Sequence, residues 1–381
     1  MALASESGLA SYDQTNGEFL DLSDVLSAIL LSDTAFLGRI SMASEVTETT
    51  HYWMEDALNA STVTMSAADL TADGTTLTIT ADAGNGLRIG ALLKDTTKGT
   101  SEVVQVTGIS TVSLTVTRGY GSTDGEIHAA SAVWRIISQP VHENHKTTSD
   151  RSKTRTQVYN RCQIFKNEVE LSNTMLAVKQ AGVANELTLQ ITNRTLELKR
   201  ELGMTVYHGI RSGAGADGTY RSMAGAREFV YNFGGTAPNF VNTAEALSDE
   251  VLNSLYRKVW DAGAEARLCV GGADQITKFS DINSDKIRLA PSDRVRGVFV
   301  NKFLTTLGVE LDLLVDRWFP TDEILICDES RIKLMPLSGR NWQMQPLAVT
   351  GDGKSAMLVG EFTLEVRNGT AAHAVHSNLT V

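Results

Sequence analysis

The chain has 381 residues, of which 42% are apolar and 21% are charged, and its formal net charge is −11. This length is enough for two or three domains, each with its own core, and the negative charge argues against a protein that coats nucleic acid through a basic surface. No apolar run reaches the roughly 18 residues of a membrane span, and the N-terminus lacks the basic and apolar regions of a signal peptide, so we expect no membrane contact.

The first sixty residues have the character of an arm rather than of a core. They hold ten acidic residues and a single basic residue, Arg39. Ser23 is a suitable N-cap for a short helix that ends near Asp33, but a helix of this length is not stable on its own. We expect extended chain over residues 36–40 and 44–56, which are rich in threonine and aromatic residues.

From residue 60 to residue 138 the sequence alternates β-branched and polar residues in five or six short runs, with glycine-containing turns between them. This pattern predicts an all-β module, either a small barrel or a sandwich. The threonine-rich extended character that precedes the module resumes after it. We therefore interpret the module as an insertion at the tip of a long hairpin.

The segment that follows the module is basic, since residues 146–166 hold six basic residues and one acidic residue. It can pair with the acidic arm within the subunit or between neighbouring copies, or the two can remain solvated surfaces of opposite sign. The candidate basic residues are Arg151, Lys153, Arg155 and Arg161. The candidate acidic residues are Glu45, Glu48, Glu55 and Asp56.

The longest helical pattern covers residues 184–210. Asn185 is a suitable N-cap and Gly209 ends the pattern, which gives a helix of about 24 residues and roughly 36 Å. Its apolar positions recur at steps of four and seven, and charged residues occupy much of the opposite face. An ordinary amphipathic helix on a globular core fits the same pattern. The predicted apolar face consists of Leu187, Ile191, Leu198, Leu202 and Val206.

The second half of the chain reads as mixed α/β. Ser248 caps a predicted helix that Gly263 ends, and a short helix is predicted over residues 273–279. Strand-like runs follow, and the Asn368–Gly369 pair predicts a final β-hairpin that fastens the C-terminus into a sheet.

The sequence contains no catalytic motif that meets its structural requirement. Gly213, Gly215 and Gly218 match the spacing of a dinucleotide-binding loop, but they follow a helix instead of a strand. The histidine pairs 142/145 and 373/376 lie in extended or loop sequence without a nearby cysteine. The three cysteines are isolated in apolar surroundings, which predicts buried thiols. We therefore predict no enzyme, no metal and no cofactor.

Several segments, taken in order, resemble a known protein family. They are SDTAF (32–36), THYWMEDAL (50–58), VTRGYGST (116–123) followed by HAA (128–130), RTQVYNRCQIFKNEVELSNT (155–174), ELKREL (197–202) and SMAG (222–225). Together they are similar to the major capsid proteins of tailed phages with the Hong Kong 97-type fold, and among these to the group like the head protein of the podophage SU-ten.

The resemblance implies an α+β fold with a set of segments known from these capsids. In chain order they are an N-terminal arm (1–40) that lies along a neighbouring subunit, an extended loop hairpin (41–59 and 139–167), the inserted all-β module (60–138), a peripheral domain (168–225 and 336–381) with a spine helix (184–210), and an axial domain (226–335).

The function implied is self-assembly, as hexamers and pentamers, into an icosahedral phage head around double-stranded DNA. Assembly would take place in the host cytoplasm, with a portal and a possible decoration protein as further partners. No long helical scaffolding segment precedes the arm, which implies a separate scaffolding protein or a processed chain. Ala35 stands where such proteins often have proline, which changes the turn expected there.

Two alternatives remain open on sequence alone. A cellular shell of the encapsulin type has the same fold and encloses a protein cargo. The module of residues 60–138, taken by itself, also fits a carbohydrate-binding or protein-binding β-module.

Overall fold

The computed structural model divides the chain into two compact units, Met1–Trp53 with Tyr159–Val381, and Met54–Val158. The helix predicted at Ser23 and the candidate Arg151 lie outside the residues that it describes. The described residues are 34–66, 70–80, 86–96, 101–141, 143, 152–178, 185–213, 220–235, 237–284, 302–348 and 351–380, without the side chains of 279–284.

Helices and strands alternate irregularly along the chain, as expected for an α+β protein. The helices are α1 (Ala35–Arg39), α2 (Asn173–Ala177), α3 (Glu186–His208), α4 (Ala226–Val230), α5 (Asp249–Asp261), α6 (Ala273–Ser284) and α7 (Gly369–Ala372), with a 3-10 helix at Glu329–Arg331. The strands are β1 (Ser41–Met42), β2 (Thr50–Glu55), β3 (Thr62–Thr64), β4 (Thr76–Thr78), β5 (Leu92–Asp95), β6 (Val103–Ile109), β7 (Ser113–Thr117), β8 (Val133–Ser138), β9 (Thr156–Arg161), β10 (Gln163–Ser172), β11 (Phe240–Glu245), β12 (Leu268–Gly271), β13 (Lys302–Leu304), β14 (Glu310–Val315), β15 (Ile324–Cys327), β16 (Ile332–Pro336), β17 (Gln343–Pro346), β18 (Gly353–Val366) and β19 (Ala374–Leu379).

The unit Met54–Val158 is a small closed barrel. Its strands pair antiparallel in the order β3-β8-β5-β6-β7-β4. An antiparallel bridge between Met65 and Ile79 joins the two outer strands, so the sheet has no free edge. Alternate residues point inward, and Trp134, Leu93 and Leu114 are fully buried among them. The inserted all-β module predicted from the alternation is confirmed.

In the other unit a five-stranded sheet lies beside the long helix. Its order is β1-β16-β18-β10, and β17 also pairs with β18. α3 packs against β10 and β18. The side chain of Asn185 accepts a hydrogen bond from Thr188 N–H and caps α3. Of the predicted apolar face, Leu198, Leu202 and Val206 are buried, whereas Leu187 and Ile191 are half-buried.

A six-stranded mixed sheet forms the second core of this unit. Its order is β11-β19-β15-β12-β14-β13, with parallel pairs β11–β19 and β12–β14. Ser248 caps α5 through Val251 N–H, and Leu252, Leu255 and Val259 of α5 are buried in the same hydrophobic cluster as strand residues. Among the described residues, no helix is both long enough and apolar enough to cross a membrane.

The extended chain predicted over residues 36–40 is wrong, because residues 35–39 form the helix α1. Phe36 is buried, and its N–H donates to the Asp316 carboxylate at 2.8 Å, which supplies a partner for a free N–H of the first turn. A helix of five residues is too short to show an apolar period. Residues 34–40 of the predicted arm therefore contact their own chain.

The hairpin predicted at Asn368–Gly369 is also wrong. Asn368 does adopt a left-handed conformation, with φ 53°, but it precedes α7 instead of turning into a paired strand. β18 and β19 on either side lie in different sheets. A Cβ on Gly369 would come 2.8 Å from the carbonyl oxygen of Phe229, so the glycine is needed for close packing there. The short helix predicted over residues 273–279 is present as α6, which is longer and extends to Ser284.

Candidate functional site

The two hairpin strands β2 and β9 pair with each other, and Asn160 holds β9 to the rest of its unit. Asn160 Oδ1 accepts the N–H of Ala224 at 2.9 Å, and its Nδ2 donates to the carbonyls of Ala224 (3.0 Å) and Leu364 (2.7 Å). The side chain is fully buried. The position uses two donor hydrogens and an acceptor oxygen, which an amide side chain supplies together. Asn160 therefore links β9 to the turn of residues 222–225 and to β18.

Two glycines allow the turn of residues 222–225 to approach the C-terminal end of α3. Gly225 N–H donates to Gly209 O at 2.8 Å. A Cβ on Gly209 would lie 2.6 Å from Met223 O, and a Cβ on Gly225 would collide with Tyr207 O. The SMAG segment is therefore a close-packed backbone contact that receives the Asn160 amide.

Arg211 adds a second attachment to β9. Its guanidinium carbon lies 3.8 Å from the centre of the Tyr159 ring and 3.9 Å from that of Phe233, and its Nη1 donates to Tyr159 O at 2.5 Å. Burial lowers the pKa of Arg211, but arginine keeps its charge throughout the physiological range. The stacked cation thus fixes the position of Tyr159.

β2 is attached through its buried face. His51 Nε2 lies 2.9 Å from Glu365 Oε2, and Arg367 donates to the other carboxylate oxygen. Burial acts to raise the pKa of Glu365, but the hydrogen bonds from His51 and Arg367 outweigh it and hold that pKa below its usual value. Trp53, also on β2, packs on Phe229 with ring centres 5.5 Å apart.

The opposite face of β2 is apolar and exposed. Tyr52 is 54% exposed and Met54 61% exposed, on either side of the buried Trp53. Leu58, beyond the end of the strand, is 94% exposed. The ring of Tyr52 packs at a tilt on that of Tyr159 of β9, with ring centres 5.6 Å apart. The hairpin base therefore has one face bound to its own chain and one apolar face in solvent.

The predicted charged residues lie mostly in solvent near this hairpin. Arg155 Nε is 4.0 Å from Asp56 Oδ2, with side chains 72% and 62% exposed. Ser338 Oγ donates to the Glu45 carboxylate at 2.8 Å. The structure thus brings one predicted pair together within the chain. Of the other described candidates, Glu48 and Lys153 are exposed, and Glu55 and Arg161 are half-buried.

A cavity of about 330 Å³ lies at the C-terminal end of α3. Glu323 lines it and is bound by Tyr207, whose hydroxyl donates at 2.6 Å, and by Arg227 at 2.9 Å. Burial and the adjacent carboxylate raise the pKa of Tyr207 well above its ordinary value. Glu323 and Arg227 of this cavity therefore pair with each other.

The candidate chemical groups are also structural. Burial raises the pKa of Cys162 and of Cys269 to about 12, so both thiols are protonated. Burial lowers the pKa of His373 to about 4. Within the described ranges, no cluster of three His, Cys, Asp or Glu side chains is placed to hold a metal ion. The pair His142/His145 lies outside these ranges.

Charge reasoning missed the residues that attach the hairpin. Asn160, His51 and Arg211 stand within or near the motifs that carry the family resemblance, but the hydrogen bonds that attach the hairpin join residues 52 to 314 positions apart in the chain. A polar residue on the buried side of an alternating strand is the one local signal for Asn160.

Comparison with known proteins places these features in a family. The sequence matches the family described as SU10 major capsid protein over residues 9–380. No curated protein matches the chain.

Solved capsid structures share the fold. One is the capsid of a native GTA particle (TM-score 0.53, 12% identity, 99% of this chain and 100% of that chain), and another is the capsid of an empty GTA particle (TM-score 0.50, 12% identity, 98% and 100%). The holo-SrpI encapsulin of Synechococcus elongatus PCC 7942 is similar with a TM-score of 0.42 and 14% identity, over 60% of this chain and 78% of that chain. The predicted α+β, Hong Kong 97-type fold is confirmed.

Proposed function

The chain belongs to the SU10 major capsid protein family, and from this premise we propose how its copies build a shell. It is a capsid shell protein of the virion. We propose that the copies assemble as hexamers and pentamers into an icosahedral shell around double-stranded DNA, in the host cytoplasm. The net charge of −11 supports enclosure of the DNA without sequence-specific binding. In this proposal the protein acts through its shape and through repeated contacts, without catalysis.

The segments have separate roles in this proposal. Residues 1–40 form the arm, and residues 41–59 with 139–167 form the extended loop hairpin that reaches a neighbouring copy. Residues 168–225 and 336–381 form the peripheral domain around α3, and residues 226–335 form the axial domain. β19, near the end of the second peripheral segment, pairs with β11 and β15 of the six-stranded sheet, so in this proposal residues 374–379 contribute to the axial domain instead of the peripheral one. A separate scaffolding protein, a portal and a possible decoration protein complete the set of partners.

The observation that carries the hairpin contact is the division of β2 into two faces. His51 and Trp53 attach one face to its own chain, whereas Tyr52 and Met54 leave an apolar surface in solvent. An apolar surface on an attached strand favours contact with another copy. Full burial of a large apolar side chain contributes about 1.5–3 kcal/mol, and because Tyr52 is 54% and Met54 61% exposed, the contact contributes roughly half of that for each.

The charged residues near the hairpin base favour correct contacts between copies. We propose that Arg151, Lys153, Arg155 and Arg161 meet acidic residues of a neighbouring copy, drawn from Glu45, Glu48, Glu55 and Asp56. Exposed pairs contribute about 0–1 kcal/mol each, so they act by repetition around the shell and by excluding wrong partners. Asp56 can pair either with Arg155 of its own chain or with Arg155 of a neighbouring copy, and the net charge is the same in both cases.

The test is charge reversal. Arg151→Glu with Arg155→Glu is expected to leave the subunit soluble and to lower the yield of closed shells, seen by electron microscopy of the shells formed in cells that supply the other head proteins. The control is Arg135→Glu, which reverses an exposed charge on β8. Normal shells from the double variant would exclude the charged contact.

A further inference from the structure

Four ionisable side chains lie inside the barrel, beside its apolar core. They are Asp95 on β5, Glu102 before β6, Arg118 after β7 and His128 between β7 and β8. Asp95, Glu102 and His128 are almost completely buried, and the side chain of Arg118 is 10% exposed. Buried charges destabilise a fold unless each one has a partner. Their arrangement therefore requires an explanation in terms of contacts.

The carboxylate of Glu102 is the centre of the cluster. Arg118 donates to it in a bidentate arrangement, from Nε at 2.6 Å and from Nη2 at 2.5 Å. His128 Nε2 lies 3.0 Å from the same carboxylate, and His128 Nδ1 lies 2.7 Å from Asp95 Oδ2. Each charged group thus contacts a group that can carry the opposite charge.

The cluster is also bound to the backbone of the loop formed by residues 119–127. Glu102 accepts Gly119 N–H at 3.0 Å and Glu126 N–H at 2.8 Å, at the two ends of this loop. Arg118 Nη2 donates to Glu126 O. One carboxylate therefore holds both ends of the loop.

The remaining donor of Arg118 reaches another turn. Nη1 donates to Thr71 O at 2.6 Å and to Gly74 O at 3.1 Å. The guanidinium therefore joins the turn before β4 to the loop of residues 119–127. The ring of His128 packs on the buried Trp134 with ring centres 4.4 Å apart, which places the cluster directly on the apolar core.

Local backbone geometry agrees with these contacts. Gly119 has φ 58° and Gly121 has φ 75°, in the left-handed region that favours glycine. A Cβ on Gly119 would lie 2.7 Å from Thr123 O. The arginine and the glycine after it are thus required together, one for the charge contacts and one for the turn.

We propose that Arg118, Glu102 and His128 form a charge clamp that closes one end of the barrel and fixes the conformation of residues 119–127. In this proposal the motif of residues 116–130 serves to close the barrel, because the charged atoms of Arg118 and His128 contact residues of the barrel itself. The side chains of Tyr120 and Ile127 remain exposed on the fixed loop. Removal of one partner from a buried charge pair is strongly destabilising, because it leaves the other charge buried without compensation.

The test is amide hydrogen exchange of the full chain at neutral pH, read in peptides that cover residues 119–128. Arg118→Met keeps the aliphatic stem but leaves Glu102 buried without a cation. Protection of the loop is expected to fall on the order of 100-fold, as the loss of one partner of a buried pair implies. The matched control is Arg135→Met, at an exposed arginine of β8, and it is expected to change nothing. Wild-type protection of the loop in Arg118→Met would overturn the clamp.

If Arg118→Met unfolds the whole barrel, its loop protection alone does not test the clamp, and a double variant supplies the test. Arg118→Met with Glu102→Gln removes both charges, so it is expected to restore part of the protection that Arg118→Met loses. Losses that simply add in the double variant would show that the two residues act independently and would overturn the proposal. Protection of residues 188–206 in α3 reports whether the other unit is intact.

Discussion

The inserted barrel and the hairpin base both bind their buried polar groups within the chain, but they differ in how completely the chain covers their strands. In the barrel, every strand has two neighbours, and the buried charges of Glu102 and Arg118 meet each other. At the hairpin base, the buried face is held by hydrogen bonds from Asn160, and the other face leaves Tyr52 and Met54 in solvent. The barrel strands therefore find all their sheet neighbours within one chain, whereas we propose that another copy covers the exposed face of the hairpin.

The largest expected effect is on the unit that supports the hairpin. Leu198 of α3 is 1% exposed, and Leu198→Asp places a carboxylate without a partner in that core. We expect a loss of about 4 kcal/mol or more, enough to prevent folding of the α/β unit. Soluble yield and circular dichroism measure it. Lys199→Asp, at the exposed next position, is expected to fold, and equal behaviour of the two variants would contradict the core position of Leu198.

The next largest effect is expected at the hairpin base and not in the barrel. Asn160→Ala leaves Ala224 N–H and the Leu364 carbonyl buried without their partner, and we expect a loss of about 2–4 kcal/mol. Hydrogen exchange is expected to increase in residues 156–163 and 222–225 and to stay unchanged in residues 103–117 of the barrel. Gln157→Ala, on an exposed position of β9, is the control. Equal losses in both regions would remove the distinction between them.

The barrel is expected to lose stability at acidic pH. Burial acts to raise the pKa of Glu102, but hydrogen bonds from Arg118, Glu126, His128 and Gly119 outweigh it and lower this pKa from 4.5 to about 2. A lowered folded-state pKa adds stability above about pH 4.5, and this stability is lost as the pH falls toward about 2.

Hydrogen exchange of residues 119–128, corrected for the intrinsic rate at each pH, measures this loss. We expect the protection of the loop to decrease across this pH window in the wild type. Glu102→Gln is expected to start with lower protection at neutral pH and to show a smaller change on acidification. A wild-type loop that keeps its protection down to pH 2 would contradict the role given to Glu102.

Sequence reasoning succeeded where a pattern is local. Alternation of β-branched residues predicts the barrel strands, and apolar steps of four and seven predict α3, including the buried Leu198 and Leu202. It failed where the deciding contact is distant in sequence. α1 depends on the bond from Phe36 N–H to Asp316, and the Asn368–Gly369 pair turns into α7 because Gly369 packs under Phe229.

The candidate site shows the same limit. Opposite charges in two segments predicted contacts, and the structure places Arg155 near Asp56 within one chain. The contacts with a neighbouring copy stay a prediction, because a single chain does not present the partner surface. Asn160 lay outside this reasoning, since its partners Ala224 and Leu364 belong to segments far along the chain.

Replacement of the exposed apolar face of β2 tests most directly whether this face is a contact between copies. Tyr52→Ser with Met54→Ser is expected to leave the free energy of unfolding of the subunit within about 1 kcal/mol of wild type, since both side chains are exposed. The yield of closed shells, counted by electron microscopy after sedimentation, is expected to fall about tenfold or more. Ile89→Ser, at a similarly exposed position of the barrel (62%), is expected to assemble normally. Shells at wild-type yield from the double variant would show that this face of β2 is not a contact between copies.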